Sequence, residues 1–165
     1  MKKNSTLYIV QAAVIAALYV ILTMIAAGFD LASGAIQVRF SEALTVLPYF
    51  TPAAVPGVTV GCLIANILTS GNPFDIIFGT LATLIGALGS RVLRKHRLLV
   101  SVPPVVSNMI IIPFVLRYAF HLPGSLPYFV FTIGLGEMLS CFVLGQFLIL
   151  ALKPVRNTLF GQEGE

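Results

Sequence analysis

From Asn4 to Phe29 the chain runs for 26 residues without a charged side chain, and that run constrains the fold more than anything else in the sequence. A helix crossing a bilayer needs about 20 apolar residues. Further runs follow the same pattern. No charge occurs in Ala43–Phe74, Ile76–Ser90 or Leu98–Leu116, and Tyr128–Leu152 contains only Glu137. With 58% hydrophobic and 10% charged residues the chain cannot keep a surface in water, because soluble domains carry about 25% charged residues. The same figures exclude disorder, which requires charge and few apolar groups. A length of 165 residues allows five to seven spans and almost nothing outside the membrane. No nucleotide-binding domain fits, so any ATP-driven role needs another chain. The sequence therefore predicts an all-α integral membrane protein forming a single domain over 1–165.

The number of spans turns on Ala43–Phe74, which reads either as one long helix or as a hairpin of two short ones. Pro48, Pro52 and Pro56 recur every four residues, and Thr51-Pro52 offers a natural break, since proline removes a backbone donor and clashes with the preceding turn. Charge counting decides the matter. With the hairpin there are six spans, and one side collects Lys2, Lys3, Arg91, Arg94, Lys95, Arg97, Lys153 and Arg156, leaving Arg39 and Arg117 opposite. With five spans, Lys2, Lys3 and Arg117 face seven basic residues on the wrong side. Cytoplasmic loops are enriched in Lys and Arg, so six spans with both termini cytoplasmic are predicted. The Met1-Lys2-Lys3 start resembles a signal n-region, but the long run after it, with no clear cleavage site, favours a retained first helix. Arg91–Arg97 reads as a topology anchor at anionic headgroups. Cys62 and Cys141, with no CxxC spacing, read as buried small hydrophobes.

Small residues form strips at four-residue spacing, which places them on one helical face where another helix can approach closely. Ala12, Ala13, Ala16 and Ala17 make two overlapping pairs in the first helix; Gly57, Gly61 and Ala65 make a second strip; Ala82, Gly86 and Ser90 make a third. The alanine strip is the best candidate for contact with another subunit.

Polar residues inside hydrocarbon cost several kcal/mol and usually face a cavity. Glu137 is the deepest acid. Glu42 and Asp75 stand where the second and fourth helices begin, Asn66 and Asn72 flank the end of the third, and Asn108 lies mid-way along the fifth. Six spans put Asp30, Arg39, Glu42, Asn72, Asp75, Arg117 and His121 toward the outside. Helix-start acids are also favoured by the helix dipole, which gives Glu42 and Asp75 a plainer explanation. No phosphate loop, metal-ligand spacing or Ser/His/Asp set occurs. What results is a small helix bundle with an outward polar pocket in which acids outnumber bases, suited to a neutral or cationic ligand rich in hydrogen-bond donors.

At this level the residues become specific. Ile36-Gln-Val-Arg-Phe-Ser-Glu-Ala-Leu-Thr-Val-Leu-Pro-Tyr-Phe-Thr-Pro-Ala-Ala-Val-Pro-Gly57, continuing through Gly61-Cys-Leu-Ile-Ala-Asn66, resembles the QueT family, substrate-binding S-components of energy-coupling factor (ECF) vitamin transporters. Asp75–Thr83, Pro103–Asn108 and Gly136–Cys141 are similar to later blocks of that family, and the resemblance covers about residues 5 to 155. It implies a six-helix S-component that captures a queuosine precursor, 7-aminomethyl-7-deazaguanine, outside the cell of a bacterium. It also implies docking onto a transmembrane coupling subunit that carries two ATPases, so that ATP is used by the partners and no cofactor is held in this chain. The family's Ala-xxx-Ala contact with the coupling subunit maps onto Ala12 and Ala16, with Ala13 and Ala17 as the overlapping pair. Within that reading Glu42 and Glu137 divide the ligand, one at the guanine-like edge and one at the ammonium. Asn66, Asn108 and Asn72 supply amide contacts, Arg39 pairs with Glu42 or donates to the ligand, Asp75 joins the site, and Tyr49, Phe50 and Phe78 are stacking candidates. Two other readings stand beside it: an S-component for riboflavin, thiamine or biotin, and an intramembrane enzyme or accessory subunit using Glu137 as general acid or base.

Overall fold

The computed structural model describes residues 5–29 and 39–161. Lys2, Lys3, Asp30, Gln37 and the rest of the linker before Arg39 lie outside the described residues. Within them the chain is helical, with six rods and no strand.

Helix α1 (Ser5–Gly28) has 24 residues, about 36 Å at 1.5 Å per residue, enough to cross a hydrocarbon core of about 30 Å. One face, Ile15, Ala16, Tyr19, Thr23 and Ala26, turns inward. The other exposes Leu7, Val10, Val14, Leu18 and Ile21. The second rod, Phe40–Tyr49, is a ten-residue 3-10 helix in which every residue from Ser41 to Pro48 is buried. Runs of this type seldom exceed three or four residues. Here the segment threads the middle of the bundle, touching α1, α2, α3 and the last rod.

The proline break falls where the sequence placed it. The 3-10 segment ends at Tyr49, Thr51 and Pro52 lie in the turn, and α2 (Ala54–Thr69) begins two residues later. Helix α3 (Pro73–Val92) starts with Pro73 in its first turn and Asn72 as N-cap, whose Oδ1 accepts from the Phe74 N–H at 3.0 Å. Helix α4 (Val102–Phe114) continues as a π turn through Ala119. The last rod is assembled from α5 (Leu126–Glu137), a π stretch Met138–Leu144, α6 (Gly145–Leu152) and, after a 3-10 turn at Lys153–Val155, the short α7 (Arg156–Phe160).

Four rods are long and apolar enough to cross a membrane, namely Ser5–Gly28, Pro73–Val92, Leu99–Ala119 and Leu126–Phe160, and Ala54–Thr69 is a shorter apolar helix. Large hydrophobic side chains are exposed around all of them. Such a surface is stable in lipid and not in water. The protein is a multi-pass membrane protein.

At Gly57, Gly61 and Gly86 the small-residue strips are internal seams. A Cβ on Gly57 would lie 2.9 Å from the Ala12 carbonyl oxygen, and one on Gly61 would lie 2.6 Å from Tyr19 Cβ. Hence α1 and α2 meet backbone to backbone. Gly86 is likewise pressed on Pro104 of α4, at 2.7 Å from its Cα. Ala16 is buried and Ala12 half-buried on the α2 side, while Ala13 and Ala17 are exposed. The pair expected to meet a coupling subunit, Ala12 and Ala16, thus faces α2, because Gly57 and Gly61 let that helix in.

Both ends of the described chain lie at the Arg91 end of the bundle. Gln11 donates to the Leu159 carbonyl at 3.0 Å and accepts from Thr51 at 2.9 Å, Phe50 stacks on Phe160, and Arg91 donates to the Pro48 carbonyl at 3.0 Å. Asn72 and Asp75 begin α3 at the opposite end.

Candidate functional site

Three residues per turn put Glu42 and Thr45 in one file along the 3-10 segment, which Arg39 precedes as N-cap. Glu42 is 1% exposed. Tyr19 of α1, equally buried, donates its hydroxyl to Glu42 Oε1. Thr23, one turn on, holds the Tyr19 carbonyl at 2.9 Å and the Ser41 hydroxyl at 2.8 Å. Thr45 closes the turn by donating to the Glu42 carbonyl at 2.6 Å. Glu42 Oε2, by contrast, is buried with no hydrogen-bond partner among the described residues.

The last rod brings the second acid. Glu137 ends α5, and the π stretch begins directly after it. That widened turn sets Cys141 beside Glu137, with Sγ donating toward Oε2 at 3.4 Å. One ligand-type atom from each of Glu42, Glu137 and Cys141 lies within 4.8 Å of the others. Asn108 of α4 sits against both carboxylates. Two ionised carboxylates at 4.8 Å repel by about 3 kcal/mol at an effective dielectric of about 20.

Asn66 and Asp75 form an adjoining group between α2 and α3. Both are buried, and their side chains lie over Gly79, with the Asn66 amide donating to the Asp75 backbone carbonyl at 3.3 Å. Cys62 joins this group to Thr83, whose hydroxyl donates to its sulfur at 3.2 Å. The Arg39 charge acts on Asp75, Glu42 and Glu137 together.

Of the residues expected from sequence, Glu42, Glu137 and Asn108 are brought together, Asn66 and Asp75 form the group beside them, and Arg39 caps the start of the 3-10 segment that carries Glu42. Asn72 stands apart. Its side chain is spent on capping α3 and on the Ala119 carbonyl at 3.3 Å. The stacking candidates also lie elsewhere. Tyr49 and Phe50 are at the far end of the 3-10 segment, about 14 Å from Glu42 at about 2 Å per residue. Phe78 lines an outward apolar groove of about 470 Å³ with Phe74, Ile110, Phe114 and Tyr118. That groove lacks the polar groups a donor-rich ligand needs. Sequence reasoning missed Tyr19, Thr23, Thr45 and the two thiols as site members. The one available signal was the Tyr19/Thr23 pair, polar groups four residues apart in an otherwise apolar helix.

Residues 9–154 match the QueT transporter family. The chain belongs to that family. It is also 45% identical over 85 residues to the queuosine precursor transporter QueT of Lactococcus lactis subsp. cremoris (strain MG1363), an alignment covering 52% of this chain and 50% of that protein. The chain thus matches about half the length of that curated relative. No solved structure matches it.

Proposed function

We propose that this QueT-family chain is the substrate-capture subunit, the S-component, of an ECF-type transporter that imports a queuosine precursor, 7-aminomethyl-7-deazaguanine, across the bacterial cytoplasmic membrane. The observation that carries the reading is the buried group Glu42, Glu137 and Asn108, adjoined by Asn66, Asp75 and Arg39, in a chain whose family is a transporter family. A deazaguanine offers adjacent N–H donors, a carbonyl and an ammonium, which carboxylates, amides and a guanidinium can pair.

The whole of 1–165 acts as one membrane domain, with the Arg91–Arg97 end and both termini in the cytoplasm. Energy comes from a coupling subunit and two ATPases, for which this chain has no counterpart. Since Ala13 and Ala17 face outward, they form the flat strip on which the coupling subunit sits. The chain itself performs no chemistry.

The test is calorimetric titration of the detergent-solubilised chain with 7-aminomethyl-7-deazaguanine, with guanine and riboflavin as controls. Tight one-to-one binding of the deazaguanine alone, recovered unchanged afterwards, supports the reading. Binding of riboflavin in its place would make the chain an S-component for another vitamin. Chemical conversion of the ligand would make it an enzyme.

A further inference from the structure

We infer that Glu42 and Glu137 close on a single primary ammonium group, so that the site chooses its ligand by positive charge. The inference rests on the precursor-capture reading and sharpens it.

From sequence the two acids were expected to hold opposite ends of the ligand. Their geometry argues against that division. Carboxylate oxygens of Glu42 and Glu137 lie within 4.8 Å of each other. The guanine-like edge and the aminomethyl nitrogen of 7-aminomethyl-7-deazaguanine sit at opposite corners of a fused ring, too far apart for two groups that converge. A common nitrogen fits instead. Two acceptors held about 2.8 Å from one tetrahedral nitrogen stand about 4.6 Å apart. An ammonium has three donors and no acceptor, and this corner supplies acceptors.

The unpaired oxygen points the same way. Glu42 Oε1 is fixed by Tyr19, and Oε2 is left buried without a partner among the described residues. A buried carboxylate oxygen left bare loses the solvation it had in water, and a cationic N–H returns it. Glu137 is 7% exposed. Asn108, against both acids, completes the surround.

A metal ion is the competing occupant, because Cys141 Sγ shares the 4.8 Å cluster. A thiol is a poor ligand for the hard ions magnesium and calcium, and zinc held by these three atoms would need a water as its fourth ligand. The sulfur is also engaged already, within 3.6 Å of the Thr45 hydroxyl and 3.5 Å of the Glu42 carbonyl oxygen. With no histidine in the cluster, the chemistry favours an ammonium.

The experiment compares 7-aminomethyl-7-deazaguanine with its 7-cyano counterpart, which keeps the ring and its edge but carries no charge. Titrations use the whole chain as wild type, Glu42→Gln and Glu137→Gln, with folding of each checked by circular dichroism. The expected result is at least 100-fold tighter binding of the aminomethyl compound by wild type, with each Gln variant cutting that preference tenfold or more. The wild-type comparison stands even if a variant misfolds. Equal affinity for the two compounds overturns the ammonium clamp and leaves the precursor reading intact. A preference lost in only one of two folded variants overturns the shared role. Failure of folded wild type to bind either compound overturns the precursor reading and the clamp with it. Zn²⁺ binding that disappears in Cys141→Ser and excludes the amine assigns the cluster to a metal and overturns the clamp.

Discussion

Replacing Gly61 with valine tests whether the α1–α2 seam positions the site. A Cβ at this position would lie 2.6 Å from Tyr19 Cβ and 2.9 Å from the Ala16 carbonyl oxygen, against an ordinary contact of at least 3.4 Å. The shortfall, 3.4 − 2.6, is 0.8 Å. Neither obstructing atom can rotate away, because a Cβ and a carbonyl oxygen move only with their backbone. Helix α1 must therefore retreat, and overpacking of this kind costs about 1–3 kcal/mol. Valine gains a few tenths of a kcal/mol of helix propensity over glycine, so a net loss of about 2 kcal/mol is expected. For a chain of this size that is a fall of about 4–8 °C in melting temperature. The assay follows from composition: the chain has no Trp, and its two cysteines are free and buried. A thiol-reactive fluorophore then reads unfolding directly, with circular dichroism alongside. Gly28→Val is the control, since a Cβ there meets nothing within 4 Å. Because Tyr19 moves with α1, its hydrogen bond to Glu42 is strained too, and ligand affinity should drop about tenfold for each 1.4 kcal/mol lost in the bound state. Melting of Gly61→Val together with wild type and Gly28→Val, at unchanged affinity, would refute both the close approach and its link to the site.

Tyr19→Phe removes the donor to Glu42 Oε1. It should cost about 1–3 kcal/mol of stability and weaken ligand binding at least tenfold, by melting and titration. Asn72→Ala should cost about 1 kcal/mol through the lost cap while leaving ligand affinity as it was, since that side chain faces the α3 start and Ala119. Ala13→Leu with Ala17→Leu should melt like wild type yet fail to co-purify with an ECF coupling module, whereas Ala16→Leu should melt lower because Ala16 is buried against α2. Cysteines placed at Lys95 and at His121, both exposed, should react with an impermeant maleimide from opposite sides of sealed vesicles; labelling of both from one side would refute the topology.

The spans were legible because a charge inside hydrocarbon is costly, so charge-free runs mark the helices almost by themselves. The break at Thr51-Pro52 was legible because proline chemistry is local. The 3-10 form of Phe40–Tyr49 was not. Nothing in Phe-Ser-Glu-Ala-Leu-Thr-Val-Leu-Pro-Tyr disfavours an α-helix over its first two turns. The tighter winding goes with burial on every side, as where Val46 Cγ1 comes within 2.9 Å of the position a Gly145 Cβ would take. Small-residue strips show a similar limit. Spacing says that a face is smooth, and Ala12/Ala16 and Ala13/Ala17 are equally smooth. Which pair meets α2 depends on where Gly57 and Gly61 arrive, a fact about another helix.

The site divides along the same line. Its acids stood out because each must justify its place in hydrocarbon. Tyr19 did not, since an aromatic on an apolar helix looks like any lipid-facing ring until its hydroxyl is seen to reach Glu42. The 3-10 segment explains why that contact exists. At about 2 Å per residue it carries the chain farther per residue than an α-helix, at about 1.5 Å, and its threefold repeat sets Glu42 and Thr45 on one edge. Buried from Ser41 to Pro48, the segment is gripped at its far end by Arg91 through the Pro48 carbonyl. Glu42 is therefore held by its own turn, by Tyr19 and by a rod anchored near the cationic loop. Of its two oxygens, one is fixed by Tyr19 and the other is buried with no partner among the described residues, and that asymmetry suits the proposed role, in which the remaining partner arrives with the ligand.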